Sequence, residues 1–248
     1  MKVAVVIPAR MASTRLPGKP LADIGGRPMI QWVWDSARKA RGVGDVVVAT
    51  DSPEIVDAVK GFGGRAALTG AEHPSGTDRV AEVARGLDAD VVINVQGDEP
   101  LLPPSALEAL VAKFGPSACA MGTLVHAEAN PEELANPARV KVVCRADGRA
   151  LYFSRSIIPF DRDRKGGARY FKHLGVYAYR RDFLLSLAQL PPSYLEQVEQ
   201  LEQLRVLEHG HDILVVPVAY DGFGVDTPAD LDAMRKRVEN SRTGEIAR

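Results

Sequence analysis

The residues best equipped for chemistry stand together near the start of the chain. Pro8-Ala9-Arg10-Met11-Ala12-Ser13-Thr14-Arg15-Leu16-Pro17-Gly18-Lys19-Pro20 places three cations, two hydroxyls and a glycine directly after an apolar run. A triphosphate asks for that set: cations for its charge, bare backbone N–H groups for its oxygens, and a lysine that can follow charge onto a departing group. Arg10, Arg15 and Lys19 supply the charges. The segment has neither the GxxxxGK spacing of a Walker A loop nor GxGxxG, so P-loop ATP hydrolysis is not expected. A basic surface loop is the competing reading, and the position at a strand end weighs against it. Asp98 follows the apolar run 91–95, and Asp226 precedes a helix, so the two can meet beyond the strand ends. Magnesium is usually held by one or two carboxylates plus substrate phosphates, and this sparse pair suits a nucleotide-bound Mg2+ ion. Taken alone, Asp226 reads more readily as a turn or helix cap; Asp51 and Glu99 are weaker candidates.

The elements that must position these groups are legible in the periodicity. Segments 3–7, 46–49 and 91–95 are continuous apolar strands, separated by helical patterns near 28–40, 53–62 and 78–87. Strands apolar on both faces need helices on each side. The order therefore predicts an α/β fold with a doubly wound, mostly parallel sheet, Rossmann-like, whose ligands gather at the carboxyl ends of the strands. After about residue 115 the order changes: 118–125, 140–144, 150–154 and 174–179 read as strands with few helices between them, a smaller mixed-sheet lobe (about 118–180) within a single domain spanning 1–248. Asp161-Arg162-Asp163-Arg164-Lys165-Gly166-Gly167 reads as a mobile surface loop. One helix is expected over 196–208, with Leu201, Leu204 and Leu207 as its buried stripe and Glu196, Glu199 and Gln203 on another side. A strand at 213–217 and a last helix from Pro228, begun by Thr227-Pro228-Ala229-Asp230, complete the pattern, with a frayed tail from Asn240. Ser75-Gly76-Thr77-Asp78-Arg79 opens a helix beside the first loop, with Thr77 as its cap.

Composition narrows the function classes. Of 248 residues, 46% are hydrophobic and 25% charged, which excludes disorder and collagen. A net charge of −1 offers none of the basic excess that nucleic-acid binding uses, so any anion site is local and its ligand small. Cys119 and Cys144, both in apolar surroundings without zinc spacing, are expected to be buried and reduced. The apolar start is too short for a signal-peptide core and no stretch suits a membrane span, so a cytoplasmic protein is expected.

PARMASTRLPGKPL resembles the first-loop signature of the CMP-sugar synthetases, and specifically of the 3-deoxy-manno-octulosonate cytidylyltransferases. The resemblance continues in register over nearly the whole chain: Ala49-Thr50-Asp51, His73-Pro74-Ser75-Gly76-Thr77-Asp78-Arg79, Asn94-Val95-Gln96-Gly97-Asp98-Glu99-Pro100, Leu151-Tyr152-Phe153-Ser154-Arg155, His173-Leu174-Gly175-Val176-Tyr177, Leu201-Glu202-Gln203-Leu204-Arg205 and Gly224-Val225-Asp226-Thr227-Pro228. It implies transfer of CMP from CTP to the anomeric hydroxyl of an acidic sugar. CTP would meet Ala9, Arg10, Arg15, Lys19, Ser75, Gly76, Arg79, Gln96 and Asp98, with Lys19, Arg15 and Asp98 catalytic, Asp98 and Asp226 on the metal, and His73 near the base. The sugar would meet Arg155, His173, Tyr177, Glu202 and Gln203. Read alone, Arg155 is more readily a surface or ion-pair residue, His173 a satisfied strand histidine and Glu202 a solvated helix acid. A homodimer built through the mixed-sheet lobe is implied by resemblance only. An N-acylneuraminate or amino-octulosonate cytidylyltransferase, and a non-catalytic nucleotide-binding module, stay open as alternatives. Met11, where the family often has an aromatic or another apolar side chain, is a minor departure.

Overall fold

A computed structural model describes residues 1–13, 15–73, 75–163 and 167–243. Thr14 of the first loop, Pro74, loop residues 164–166 and the tail from 244 therefore lie outside the described residues. The chain forms two compact units, one from Lys2–Asp88, Asn94–Pro104 and Gly222–Arg248, the other from Met1, Ala89–Ile93 and Ser105–Asp221.

In the first unit β1 (Val3–Ala9), β2 (Asp45–Thr50) and β3 (Arg65–Leu68) run parallel in the order β3-β2-β1. Val5, Val6 and Ile7 of β1 and Val48 and Ala49 of β2 are wholly buried, as strands covered on both faces must be. β3 was not foreseen: Arg65-Ala66-Ala67-Leu68 carries little apolar pattern, and its place comes from parallel pairing with β2. The helices are α1 (Met29–Lys39), α2 (Pro53–Gly61) and α3 (Gly76–Arg85). α2 starts on a Ser52 cap with Pro53 in its first turn. α3 is capped by Ser75, whose Oγ accepts from Asp78 N–H at 3.2 Å, two residues earlier than the expected Thr77. β4 (Val91–Val95) crosses the division between the units and delivers Asn94 and Val95 into the first.

The second unit holds α4 (Pro104–Phe114), β5 (Met121–Glu128), α5 (Pro131–Ala135), β6 (Lys141–Cys144), β7 (Ala150–Ser154), β8 (Tyr170–Arg180), α6 (Arg181–Leu187), α7 (Tyr194–Glu199), α8 (Gln203–Glu208) and β9 (Ile213–Pro217). β5 pairs parallel with β9 and antiparallel with β8, while β6 is antiparallel to both β7 and β8. This is the mixed sheet that the change of order predicts.

Two expectations need correction here. The helix foreseen over 196–208 is two helices, broken at Gln200, which adopts a left-handed conformation with φ 53°. The carbonyls of Glu199 and Gln200 are drawn off the helix axis by Arg155, so the 3.6-residue pattern is interrupted although both flanks are helix-forming. Leu201 and Leu204 are buried, but Leu207 is only half-buried. Cys119 is buried and Cys144 half-buried, because β6 lies at a partly open position; both are free thiols. α9 (Pro228–Thr243) is the last element among the described residues, and no described helix is long and apolar enough to cross a membrane.

Candidate functional site

The first loop is folded on itself before any ligand is considered. Gly18 adopts φ 69°, a left-handed conformation natural to glycine, and its N–H donates to Met11 O at 3.2 Å. Lys19 then begins a short 3-10 turn over Lys19–Leu21. Leu16 inserts into an apolar cluster with Ile24, Met29, Val225, Leu231, Met234 and Val238. That cluster is why residues distant in sequence meet, since it pins the loop against the segment that starts α9. Val225 N–H donates to Asp98 O at 2.9 Å, tying the same segment to the end of β4.

Asp226 is left free to act because other groups do the capping. Thr227 Oγ1 accepts from Asp230 N–H at 3.2 Å, and Asp230 Oδ2 accepts from the N–H groups of Asp226 and Thr227 at 3.1 and 2.9 Å. The Asp226 carboxylate then reaches Lys19 Nζ at 3.0 Å and Arg15 Nη2 at 3.2 Å, while Asp98 Oδ2 lies 2.6 Å from the same ammonium. Burial draws the Lys19 pKa down, but the two carboxylates outweigh it and hold the group above its ordinary value. The Lys19 ammonium thus occupies the point on which the two carboxylates converge; their hard oxygens are of the type that holds Mg2+ when phosphate oxygens complete the shell.

Around this centre lies a cleft of about 390 Å³ lined by Pro8, Ala9, Arg10, Ala12, Ser13, Arg15, Lys19, Pro20, Gly76, Gln96, Gly97, Asp98 and Asp226. Its walls come within bare backbone distance. A Cβ on Gly97 would stand 3.1 Å from Pro8 O, and one on Gly76 3.5 Å from Pro8 Cγ. Arg10 is held by His73, whose carbonyl accepts from Nη2 at 2.7 Å; the His73 ring in turn bonds Glu82, which lowers the Glu82 pKa.

Of the expected nucleotide residues, Ala9, Arg10, Arg15, Lys19, Gly76, Gln96 and Asp98 line this one cleft, with Asp226 beside them. Ser75 is occupied as the α3 cap. Arg79 is not among the lining residues: it is wholly buried, paired with Asp51 at 3.0 Å and bonded to Thr69 Oγ1. Asp51 serves that pair. Pro8, Ala12, Ser13, Pro20 and Gly97 were not singled out by sequence reasoning. For Gly97 a signal existed, since a glycine after a fully apolar strand marks a close backbone approach.

The expected sugar residues lie in the second unit, and they divide into two sets. His173, Tyr177 and Gln203 form one group. β8 carries two extra residues between its pairings with Thr123 and Leu124, a bulge that re-aims the side chains around it. There the His173 ring packs edge-on to Phe153 and against Tyr177, with Nε2 3.0 Å from Thr123 Oγ1. His173 keeps some surface, yet its ring is enclosed, and burial pushes its pKa to about 3. Burial, reinforced by Glu202, pushes the Tyr177 phenol up; its O–H donates to Gln203 Oε1 at 3.4 Å. Gln203 Nε2 is buried with no partner among the described residues. Arg155, by contrast, spends its guanidinium on main-chain carbonyls, and Glu202 is exposed at the start of α8.

A parallel-sheet unit that gathers paired aspartates and three cations at its strand ends is the arrangement that suits a nucleotidyltransferase. Residues 4–213 match the family model described as cytidylyltransferase. The chain is 47% identical over 250 residues to 3-deoxy-manno-octulosonate cytidylyltransferase of Geobacter sulfurreducens, covering 96% of this chain and 100% of that one. Against the protein of the same name from Escherichia coli it is 50% identical over 235 residues, 94% and 95% of the two chains. A solved structure of CMP:2-keto-3-deoxy-manno-octonic acid synthetase complexed with CTP matches with a TM-score of 0.93 and 49% identity, over 97% of this chain and 100% of that one. The chain belongs to the cytidylyltransferases, in the branch of the 3-deoxy-manno-octulosonate enzymes. A 4-diphosphocytidyl-2C-methyl-D-erythritol synthase from Anaerococcus prevotii, 11% identical with a TM-score of 0.63, shares the fold alone.

Proposed function

We propose that this chain transfers CMP from CTP to the anomeric hydroxyl of 3-deoxy-manno-octulosonate, giving the CMP-sugar and pyrophosphate for lipopolysaccharide biosynthesis. The observation that carries the reading is Lys19, whose ammonium sits between Asp98 and Asp226 in a cleft walled by the first loop. The printed activity of its full-length relatives supports the choice of nucleotide and sugar.

Arg10, Arg15 and Lys19 would take the phosphate charges, with Arg15 and Lys19 on the side of the departing pyrophosphate. Bare backbone around Gly76 and Gly97 lets the nucleotide approach closely. Positioning and charge stabilisation supply most of the barrier reduction in phosphoryl-type transfers, so no nucleophilic side chain is needed. Asp98 and Asp226 would hold Mg2+, which when bound neutralises phosphate oxygens. His173, Tyr177 and Gln203 would meet sugar hydroxyls.

The mixed-sheet unit is read as the dimerisation lobe of a homodimer, and its exposed Leu151, Ile157, Phe160, Tyr194 and Val198 support that. Two free thiols agree with a reducing, cytoplasmic compartment. Pyrophosphate release is the test: octulosonate, its amino-substituted analogue and N-acylneuraminate are each assayed with CTP, UTP and ATP. Octulosonate with CTP should give the highest kcat/KM. A protein that binds CTP yet releases no pyrophosphate with any acidic sugar would overturn the reading.

A further inference from the structure

Gln200 holds φ 53° and ψ 51°, a conformation that suits glycine far better than glutamine. Such a residue persists only where its surroundings over-determine it. Here Arg155 donates Nε to Glu199 O at 2.7 Å, Nη2 to Gln200 O at 3.2 Å and Nη1 to Pro137 O at 3.0 Å. Glu199 answers with both carboxylate oxygens: Oε2 accepts from Arg155 N–H at 3.0 Å and Oε1 from Ser154 Oγ at 2.6 Å. On the other side Lys141, wholly buried, donates Nζ to Arg155 O, Arg139 O and Asn136 O at 2.5, 2.6 and 3.3 Å. All three of its hydrogens are used.

Burying an ammonium is costly, and apolar packing would hold strands β6 and β7 together without it. What the charged network does that apolar packing cannot is fix carbonyl directions. The turn it fixes leads through buried Leu201 straight to Gln203, whose amide nitrogen is buried without a partner among the described residues and whose oxygen meets Tyr177. A shift of the turn would move that amide directly.

We propose that Glu199 and Lys141 are positioning residues for sugar recognition: acting through Arg155, they hold the left-handed Gln200 turn that aims the Gln203 amide. Arg155 accordingly shapes the sugar site from behind instead of clamping a carboxylate. The inference rests on the function proposed above.

Steady-state kinetics with both substrates varied test it. Glu199→Gln should raise the sugar KM about tenfold, as small misplacements of a binding group do, and leave the CTP KM within about twofold. Adding Gln200→Gly should bring the sugar KM back to within about threefold of wild type, because glycine adopts the turn unaided. Lys141→Met should show the same split between the two KM values. Equal changes in both KM values, an unchanged sugar KM in Glu199→Gln, or no recovery with glycine would overturn the proposal. A wild-type protein inactive with every acidic sugar would instead overturn the function, so the two failures are distinct.

Discussion

Lys19→Met keeps most of the side chain's bulk and removes its charge. In the resting protein the ammonium is 17% exposed, 2.6 Å from Asp98 and 3.0 Å from Asp226. The Asp98 contact is shielded enough to count as a charge-assisted hydrogen bond, about 1.5–3 kcal/mol. Asp226 is 44% exposed, and solvent screening reduces its share to under about 1 kcal/mol. Water reaches both carboxylates once the lysine is gone, so the folded state should lose only about 1–2 kcal/mol. Turnover should suffer more, because there the charge meets developing negative charge in a partly desolvated cleft. Removing one such donor costs about 2.7–4 kcal/mol of barrier, or roughly 10²–10³ in kcat. With its pKa raised in the folded state, the lysine's contribution is complete below 10.5 and is lost only as pH climbs past that value. Pyrophosphate release at saturating CTP and sugar, measured beside a urea denaturation, separates the two effects. A kcat within threefold of wild type would refute the assigned role.

Other outcomes follow from the same contacts. Asp98→Asn should lower kcat at least about 100-fold and weaken the response to magnesium; a magnesium titration superposable on wild type would exclude Asp98 as a ligand. Arg79→Met strands the Asp51 carboxylate beside a buried site and should cost about 3–5 kcal/mol of stability in chemical denaturation. An unchanged midpoint with a raised CTP KM would instead return Arg79 to the nucleotide. His173 titrates near 6.5 when unfolded and near 3 when folded, so the unfolded chain binds the extra proton between those values and stability falls as pH drops through that window. His173→Gln should flatten the fall of Tm over that range; parallel slopes would refute the burial argument.

Much of this was legible because the strands β1, β2 and β4 are short, valine-rich and mostly apolar, alternate with helical patterns, and have Arg10, Asp51 and Asp98 close after their ends. The meeting of Lys19 with Asp226 was foreseeable only as a possibility. The apolar cluster around Leu16 and Val225 decides it, and that cluster has no local signature. Gln200 shows the converse. Each flank favours helix, and the break comes from Arg155, 45 positions away, competing for the helix carbonyls. Arg79 shows a similar limit: it stands in a ligand-rich motif, and only the structure reveals that Asp51 and Thr69 hold its guanidinium outside the lining of the cleft.

The contact of Gly76 and Gly97 with Pro8 carries a consequence for altering substrate range. A methyl group at Gly97 would stand 3.1 Å from the Pro8 carbonyl oxygen and force that main chain to give by a few tenths of an ångström, which no trimming of side chains relieves, whereas one at Gly76 would meet the Pro8 ring at an ordinary 3.5 Å. Attempts to admit a bulkier nucleotide should therefore be directed at the rim, where Ala12 is exposed and has no charge role, and should spare Arg15, which is 65% exposed but faces the phosphates.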